Sequence, residues 1–451
     1  MIRTTQLERL GLFDAKVPRY TSYPTAPHFN ADISASDVRN WITEIPRNTQ
    51  ISLYIHIPFC RRLCWFCACR TQGLPNLSPL TGYIERLKKE LALIRSSLSK
   101  GVSLGHLHLG GGTPTILNVG QIKSLMAHIF DTLPVSKNAE ISVEIDPTEV
   151  DEGRIAALAE IGMTRASIGI QDFDPDIQAA IGRIQGFDTT KRAFDLLRSA
   201  GIRSLNADLV YGLPMQTSAR LTETLYKLLS LAPDRIALFG YAHVPWMARR
   251  QKLIDQTALP NPQARLRLFQ IAQQIFKSDG YESIGIDHFA LPNDTMTLAS
   301  LTGKLFRNFQ GYTTDASKFL IGVGASAISK FPQGYAQNAA VTSEYSKLID
   351  TGDMATVRGH KLTNRDRLNS DIIAALLCQF QVRIAEICEN HDIQPAAVLE
   401  LFERVNMRFE NLLQVTETGL IIPSEARPLT RMIAREFDQY NSTQISYSAA
   451  I

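Results

Sequence analysis

Four of the chain's six cysteines, Cys60, Cys64, Cys67 and Cys69, fall inside the stretch YIHIPFCRRLCWFCACR at residues 54–70. Packing has little use for so many thiols in so short a loop, whereas metal chemistry does. Structural zinc takes four tetrahedral ligands, commonly as two C-x2-C pairs or one pair with histidines, and no second cysteine pair follows downstream. A disulfide framework belongs to oxidising compartments and short cysteine-rich chains. A thiolate-held iron–sulfur cluster is the third reading, and a loop supplying three ligands to a four-iron cube leaves one iron open for chemistry. From the cysteines alone, zinc and a disulfide remain its competitors.

Two further segments carry groups of use to such a site. LHLGGGTPT (107–115) sets three glycines where backbone can approach a ligand closely, although a glycine run by itself reads equally well as a tight turn. EISVEIDP (140–147) places Glu144 on an alternating strand, where its carboxylate can face inward and accept from a ligand hydroxyl or amine; a lone Glu is more often solvated. Asp208 can accept from hydroxyls of a ligand and Arg183 can meet a carboxylate, although Arg183 reads equally well as an exposed helix-end cation.

These segments need a frame. Apolar strand-like runs at 51–58, 106–109, 141–146, 165–170, 204–212, 235–242 and 283–289 alternate with amphipathic stretches such as Tyr83, Leu87, Leu91, Ile94 and Leu98, or Leu221, Leu225 and Leu228. Repeated β-then-α order implies a parallel sheet with right-handed crossovers. About six units, with the unusual residues at strand ends, predict an α/β fold: an incomplete TIM-like (β/α)6 barrel with its site at the C-terminal rim. Residues 1–49 form an arm packing on that barrel, with the aromatic, helix-poor stretch VPRYTSYPTAPHF at 17–29. Residues 50–350 form the catalytic barrel, and residues 355–451 a mainly helical domain with a short strand at LIIP (420–423). Cys378 and Cys388 read as small core residues.

Composition narrows the function classes. With 45% hydrophobic residues over 451 positions the chain buries substantial cores, and a net charge of +3 gives no reason to expect nucleic acid or a membrane surface as partner. An anionic ligand must then be met by local cations. No run reaches the length of a transmembrane helix or a signal peptide, so the cytoplasm is the expected compartment.

C-x3-C-x2-C, with an aromatic residue before the third cysteine, resembles the signature of the radical S-adenosylmethionine (SAM) superfamily, whose glycine-rich segment also follows one β/α unit later. Within it the chain resembles the oxygen-independent coproporphyrinogen III oxidase family through PRYTSYPTA (18–26), YIHIPFCxxLCxFCxC (54–69), HLGGGTPT (108–115), EISVEIDP, IGIQDF (168–173), DLVYGLP (208–214), YAHVP (241–245), DHFALPND (287–294), RNFQGYTT (307–314) and GASAIS (324–329). The resemblance implies one [4Fe–4S] cluster on Cys60, Cys64 and Cys67, with SAM on the fourth iron. It implies Tyr54, Gly111, Glu144 and Ile328 around that SAM. It further implies a second SAM near Phe66, Gly112, Thr113, Gln171, Arg183, Asp208 and Ala242.

The implied reaction is oxidative decarboxylation of two propionates of coproporphyrinogen III to vinyl groups, giving protoporphyrinogen IX, in a monomer fed by a small redox protein. Cys69, one residue past the last ligand, is expected beside the cluster without binding it. The substrate's four propionates call for cations, and Arg19 and Arg307 lie in or beside matching segments. Related haem chaperones and a haem-degrading radical SAM methyltransferase are the alternatives; the chaperones generally lack the fourth cysteine, RNFQGYTT and PRYTSYPT. One departure stands out: many relatives carry Arg-Arg where this chain has Asn369-Ser370, so an anion contact there is not expected.

Overall fold

Alternating burial along each strand sorts polar from apolar side chains and so builds the frame. In RASIGIQ (Arg165–Gln171), Ala166, Ile168 and Ile170 are buried while the intervening residues are partly accessible; in Ser204–Tyr211, Leu205, Ala207 and Leu209 are buried between Asn206 and Asp208. The apolar set packs under helices, and the opposite set faces the barrel interior. The computed structural model describes residues 4–440 and 446–451. Six strands follow one another in space as in sequence, each parallel to the next: β1 (Gln50–Ile57), β2 (Ser103–Gly111), β3 (Val135–Ile145), β4 (Arg165–Gln171), β5 (Ser204–Tyr211) and β6 (Arg235–Gly240).

The intervening helices bury the periodic residues that announce them. α1 (Ser78–Ser97) buries Tyr83, Leu87, Leu91 and Ile94, and α2 (Val119–Thr132) starts from a capping box between Asn118 and Gln121. α3 (Glu152–Glu160) and α4 (Phe187–Ser199) follow, and α5 (Ser218–Leu229) buries Leu221, Leu225 and Leu228. α6 (Pro262–Ser278) lies beyond β6.

The sheet does not close on itself. β6 continues to an antiparallel hairpin, β7 (Glu282–Ile284) and β8 (His288–Ala290), and β1 continues to β9 (Leu320–Val323), β10 (Ile328–Phe331), β11 (Gly334–Asn338) and β12 (Thr356–Lys361). The run at 283–289 is therefore a hairpin rather than one more β/α unit. Gly285, at φ +54°, lies in the segment that turns back, and a Cβ there would collide with Tyr312 at 2.1 Å.

Past β12, α7 (Asn364–Gln379) and α8 (Pro395–Arg408) surround a second hydrophobic core with a small three-stranded sheet that includes Gly419–Ile421. Val17, Tyr20 and Tyr23 of the N-terminal arm belong to that core, while Phe29 stacks on Tyr335 of β11 at 5.5 Å. The arm thus joins the sheet to the helical unit. Cys378 is buried and Cys388 half-buried, and no helix of the described residues is long and apolar enough to cross a membrane.

Candidate active site

The cysteine loop leaves the end of β1 and is held by contacts from four directions. Phe59–Cys60 pairs with Gln72–Gly73, the Trp65 amide donates to the Ile181 carbonyl at 2.9 Å, and Arg250 donates to the Cys69 carbonyl at 3.2 Å. Gln251, fully buried, donates to the carbonyls of Phe66 (2.7 Å) and Ala242 (2.9 Å), tying the loop to the end of β6. Cys60, Cys64 and Cys67 are half-buried, and each sulfur meets a donor or a cation. Thr113 Oγ1 donates to Cys60 Sγ at 3.5 Å, and Arg183 Nη1 to Cys64 Sγ at 3.5 Å, 3.4 Å from Asp146.

Burial pushes the Cys60 thiol up to about 11, with Cys67 and Cys64 adding to the rise. A hydrogen bond from Cys69, with Arg250 and Arg183 nearby, holds Cys67 down to about 6, and the same contact drives Cys69 well above the usual thiol range. The described residues contain no group of three or more His, Cys, Asp or Glu arranged for a single metal ion. A mononuclear site would need its ligands about 2.3 Å from one ion, whereas a four-iron cube puts each thiolate on a separate iron. Three thiols close enough to perturb one another, under N–H and O–H donors, fit the cluster.

Beside the loop, β2 ends in the glycine run. The Gly112 amide donates to the Ile57 carbonyl (2.7 Å) and the Thr113 amide to the Phe59 carbonyl (2.9 Å), so the run is fastened directly to the cysteine loop. Gly111 takes φ +111°, and a Cβ there would stand 2.6 Å from the His56 ring. Its amide donates to Glu144 Oε2 at 3.0 Å, and His108 Nε2 approaches Glu144 Oε1 at 3.3 Å. Burial pushes the Glu144 carboxyl up, yet His108 and the Gly111 amide outweigh it and leave it below the usual range. Tyr54 stacks on His108 (5.8 Å) and bonds His56 Nδ1 at 2.8 Å. Buried as it is, Tyr54 has its phenol raised well above its ordinary value.

The second group lies across the barrel. Asp208 accepts from Ser167 Oγ (2.8 Å) and Asn206 Nδ2 (2.7 Å), and burial pushes it up to about 6. Gln171 ends β4 at φ +73° next to a bulge, and Arg183 Nη2 donates to the Gly169 carbonyl at 3.0 Å. Arg183 is thus a buried bridge between the cysteine loop and β4 rather than an exposed cation. Phe66 packs with Ile177, Ile181 and Tyr241. Ile328 begins β10, and its carbonyl would lie 2.6 Å from a Cβ on Gly322. Arg19 and Arg307 meet: Arg307 Nη2 reaches the Arg19 carbonyl at 3.4 Å, and Arg19 donates to the Gly240 carbonyl at 2.6 Å.

Comparison with known proteins agrees with this arrangement. Residues 54–228 match the family model described as the Radical SAM superfamily. Over its full length the chain is 52% identical to oxygen-independent coproporphyrinogen III oxidase of Paracoccus denitrificans, 100% of each chain being covered. It is 48% identical to the Cereibacter sphaeroides protein of that name, with 98% of each covered. The solved coproporphyrinogen III oxidase of Escherichia coli, described as a radical SAM enzyme, superposes with a TM-score of 0.89 at 35% identity, covering 94% of this chain and 100% of that one. The chain belongs to the oxygen-independent coproporphyrinogen III oxidase family.

Against the family pattern, the Asn369 departure has a simple outcome. Asn369 is buried and donates to Tyr23 Oη at 3.3 Å, so this member joins its arm to α7 with a neutral contact. Sequence reasoning missed His56, His108, Gln185 and Gln251. His108 is legible as the inward residue of HLHL; Gln251, an ordinary amide in a short 3-10 turn, carries no local signal. Gln185 braces Arg183 through Oε1 at 3.1 Å while donating to the Gly169 carbonyl.

Proposed function

We propose that this chain catalyses the oxygen-independent conversion of coproporphyrinogen III to protoporphyrinogen IX. In each of two rounds a propionate side chain loses a hydrogen atom, CO2 and one electron and becomes a vinyl group. The observation that carries this reading is 52% identity over the full length to an enzyme of that name, combined with the three-thiol loop in which Cys60 meets Thr113 and Cys64 meets Arg183. Cys60, Cys64 and Cys67 would hold one [4Fe–4S] cluster, with one SAM against Tyr54, Gly111, Glu144 and Ile328, and a second against Phe66, Gly112, Thr113, Gln171, Arg183, Asp208 and Ala242. When bound, the reduced cluster and SAM supply the radical chemistry that removes hydrogen from the propionate β-carbon.

The chain's own part is binding and exclusion of water. The Glu144 carboxylate, kept ionised by His108 and the Gly111 amide, is set to accept from an ammonium or hydroxyl. In the glycine run a Cβ would meet the Glu144 carboxylate, the His56 ring or the Phe59 carbonyl, so glycine is what lets the end of β2 close against the cysteine loop. Arg183 and Asp208 present one cation and one acceptor to the second SAM. Cys69 stays outside the ligand set, because binding a fourth thiolate would close the iron that SAM needs. We place the protein in the cytoplasm as a monomer receiving electrons from a small redox protein.

Anaerobic assay of the reconstituted protein with coproporphyrinogen III, SAM and a strong reductant tests the reading. Protoporphyrinogen IX should form with release of CO2. Haem binding without decarboxylation would turn the assignment toward a haem chaperone, and methyl transfer to haem toward a haem-degrading methyltransferase.

A further inference from the structure

A cavity of about 430 Å3 opens between the N-terminal arm, the β7–β8 hairpin, α6 and the C-terminal residues. Four guanidiniums line its depth, those of Arg19, Arg265, Arg307 and Arg431, against one carboxylate, Asp287. The other charged lining groups, two of each sign, are exposed at its mouth. Net positive charge is thus concentrated where water is scarce. Arg431 is held down to about 9 by burial, with Arg19 and Arg307 adding to the fall.

The four arginines divide into two pairs. Arg19 and Arg431 are committed to backbone: Arg19 to the Gly240 carbonyl, and Arg431 to the carbonyls of Val17 (2.6 Å), Pro18 (3.1 Å) and Ala450 (3.0 Å). Arg265 and Arg307 carry buried N–H groups without acceptors among the described residues. Arg265, 8% exposed, donates Nη2 to the Tyr241 carbonyl at 2.7 Å, but its Nε has no hydrogen-bond partner among the described residues. Arg307, with its side chain 7% exposed, lies over the Tyr312 ring at 4.6 Å and 3.8 Å from Asp287, and neither its Nε nor its Nη1 has a hydrogen-bond partner among the described residues. Buried guanidinium N–H groups without acceptors are costly, and two side chains that carry them stand in the wall of a cavity whose depth sets four guanidiniums against one carboxylate, a charge that an anion would offset.

The rest of the wall says which anion. Leu266, Phe269, Ile286, Phe289 and Phe380 make it apolar between the cations, which suits a carboxylate on a hydrocarbon stem better than a free inorganic ion. Tyr211 ends β5, the strand that carries Asp208, and Gly240 ends β6, two residues before Ala242, so the cavity lies at the same strand ends, while none of Cys60, Gly111, Gly112, Thr113 and Glu144 lines it.

We infer that this cavity anchors a propionate of the tetrapyrrole that does not react in that turnover, with Arg265 and Arg307 as its ligands. The inference rests on the coproporphyrinogen reading above.

The test uses the reconstituted holoenzyme and two unreactive probes, coproporphyrin III with four carboxylates and its tetramethyl ester with none, titrated by porphyrin absorbance. Wild type should bind coproporphyrin III more tightly. Arg265→Gln and Arg307→Gln should each weaken it about 10- to 100-fold, as loss of a charged hydrogen bond does, with KM for coproporphyrinogen III rising in step and ester binding little changed. Lysine at either position should recover part of the loss. Unchanged coproporphyrin affinity and KM, or an equal loss for both probes, overturns the subsite. Should a glutamine variant fail to fold, the lysine variants and the wild-type preference decide; equal wild-type affinity for the two probes overturns it too. Absence of decarboxylation with the probe pattern intact would sink the proposed activity and leave the subsite standing.

Discussion

Gly112→Ala is the sharpest test of how the glycine run and the cysteine loop depend on each other. A Cβ at this position would lie 2.6 Å from the Phe59 carbonyl oxygen and 2.9 Å from that of Ile57, both backbone atoms with no rotamer by which to step aside. Reaching the 3.4 Å at which ordinary contact begins requires a shift of 0.8 Å between two strands. The Gly112–Ile57 and Thr113–Phe59 hydrogen bonds, at 2.7 and 2.9 Å, would then stretch to the limit of bonding or past it. Two lost backbone bonds at about 1 kcal/mol each, with overpacking of about 1–3 kcal/mol, suggest a cost of about 3–5 kcal/mol. Phe59 carries Cys60 with it, so the Thr113–Cys60 contact at 3.5 Å is lost as well. Iron per chain, the broad visible absorption of the cluster, SAM affinity by equilibrium dialysis and resistance to denaturant should all fall. Gly120→Ala is the control, because its Cβ would meet nothing closer than 3.5 Å near the start of α2. A Gly112→Ala protein with the iron content, SAM affinity and stability of wild type would refute the argument from close approach.

Three other outcomes are expected. Replacing Cys60, Cys64 or Cys67 by Ser should each abolish cluster assembly and turnover, whereas Cys69→Ser should keep the iron and impair turnover; iron analysis of anaerobically purified variants separates the two classes, and iron loss in Cys69→Ser equal to that in Cys67→Ser would mean four ligands. Because burial raises Asp208 to about 6, the folded state binds its proton more tightly than the unfolded chain, and stability falls as pH rises from about 4 to 6, then levels off. Asp208→Asn can keep both hydrogen bonds with Ser167 reoriented, and should therefore be about 2–3 kcal/mol more stable than wild type at pH 8, converging with it near pH 4; denaturation at the two pH values checks this, and a variant less stable at pH 8 contradicts it. Gln251→Ala strips partners from the Phe66 and Ala242 carbonyls and the Val244 amide, and should cost about 2–4 kcal/mol and loosen the cysteine loop; thermal unfolding and protease sensitivity near residue 66 are the measurements.

Features local to the chain are legible in its residues. Cysteine spacing, the glycine run and the alternation that turns Glu144 and Asp208 inward are each written within a few residues, and strand period and helix period are local too. The run at 283–289 misleads for the same reason: a strand in a β/α unit and one in a hairpin look alike over seven residues, and the difference lies in the turn at Gly285 and in the pairing of His288 with Ala237.

By itself, then, the sequence set out the groups: a three-thiol motif, a glycine run at a strand end, and carboxylates at inward positions of β3 and β5. Tertiary structure alone decided how those groups are held and what accompanies them. It brought Arg183 to Cys64, Gln251 to Phe66, and Arg19, Arg265, Arg307 and Arg431 to one cavity, across separations of up to hundreds of residues. No period or spacing encodes such meetings. They follow from the order in which strands pair and from the packing of the arm and the helical unit against the open edge of the sheet, where burial makes each unpaired guanidinium costly enough to mark a missing partner.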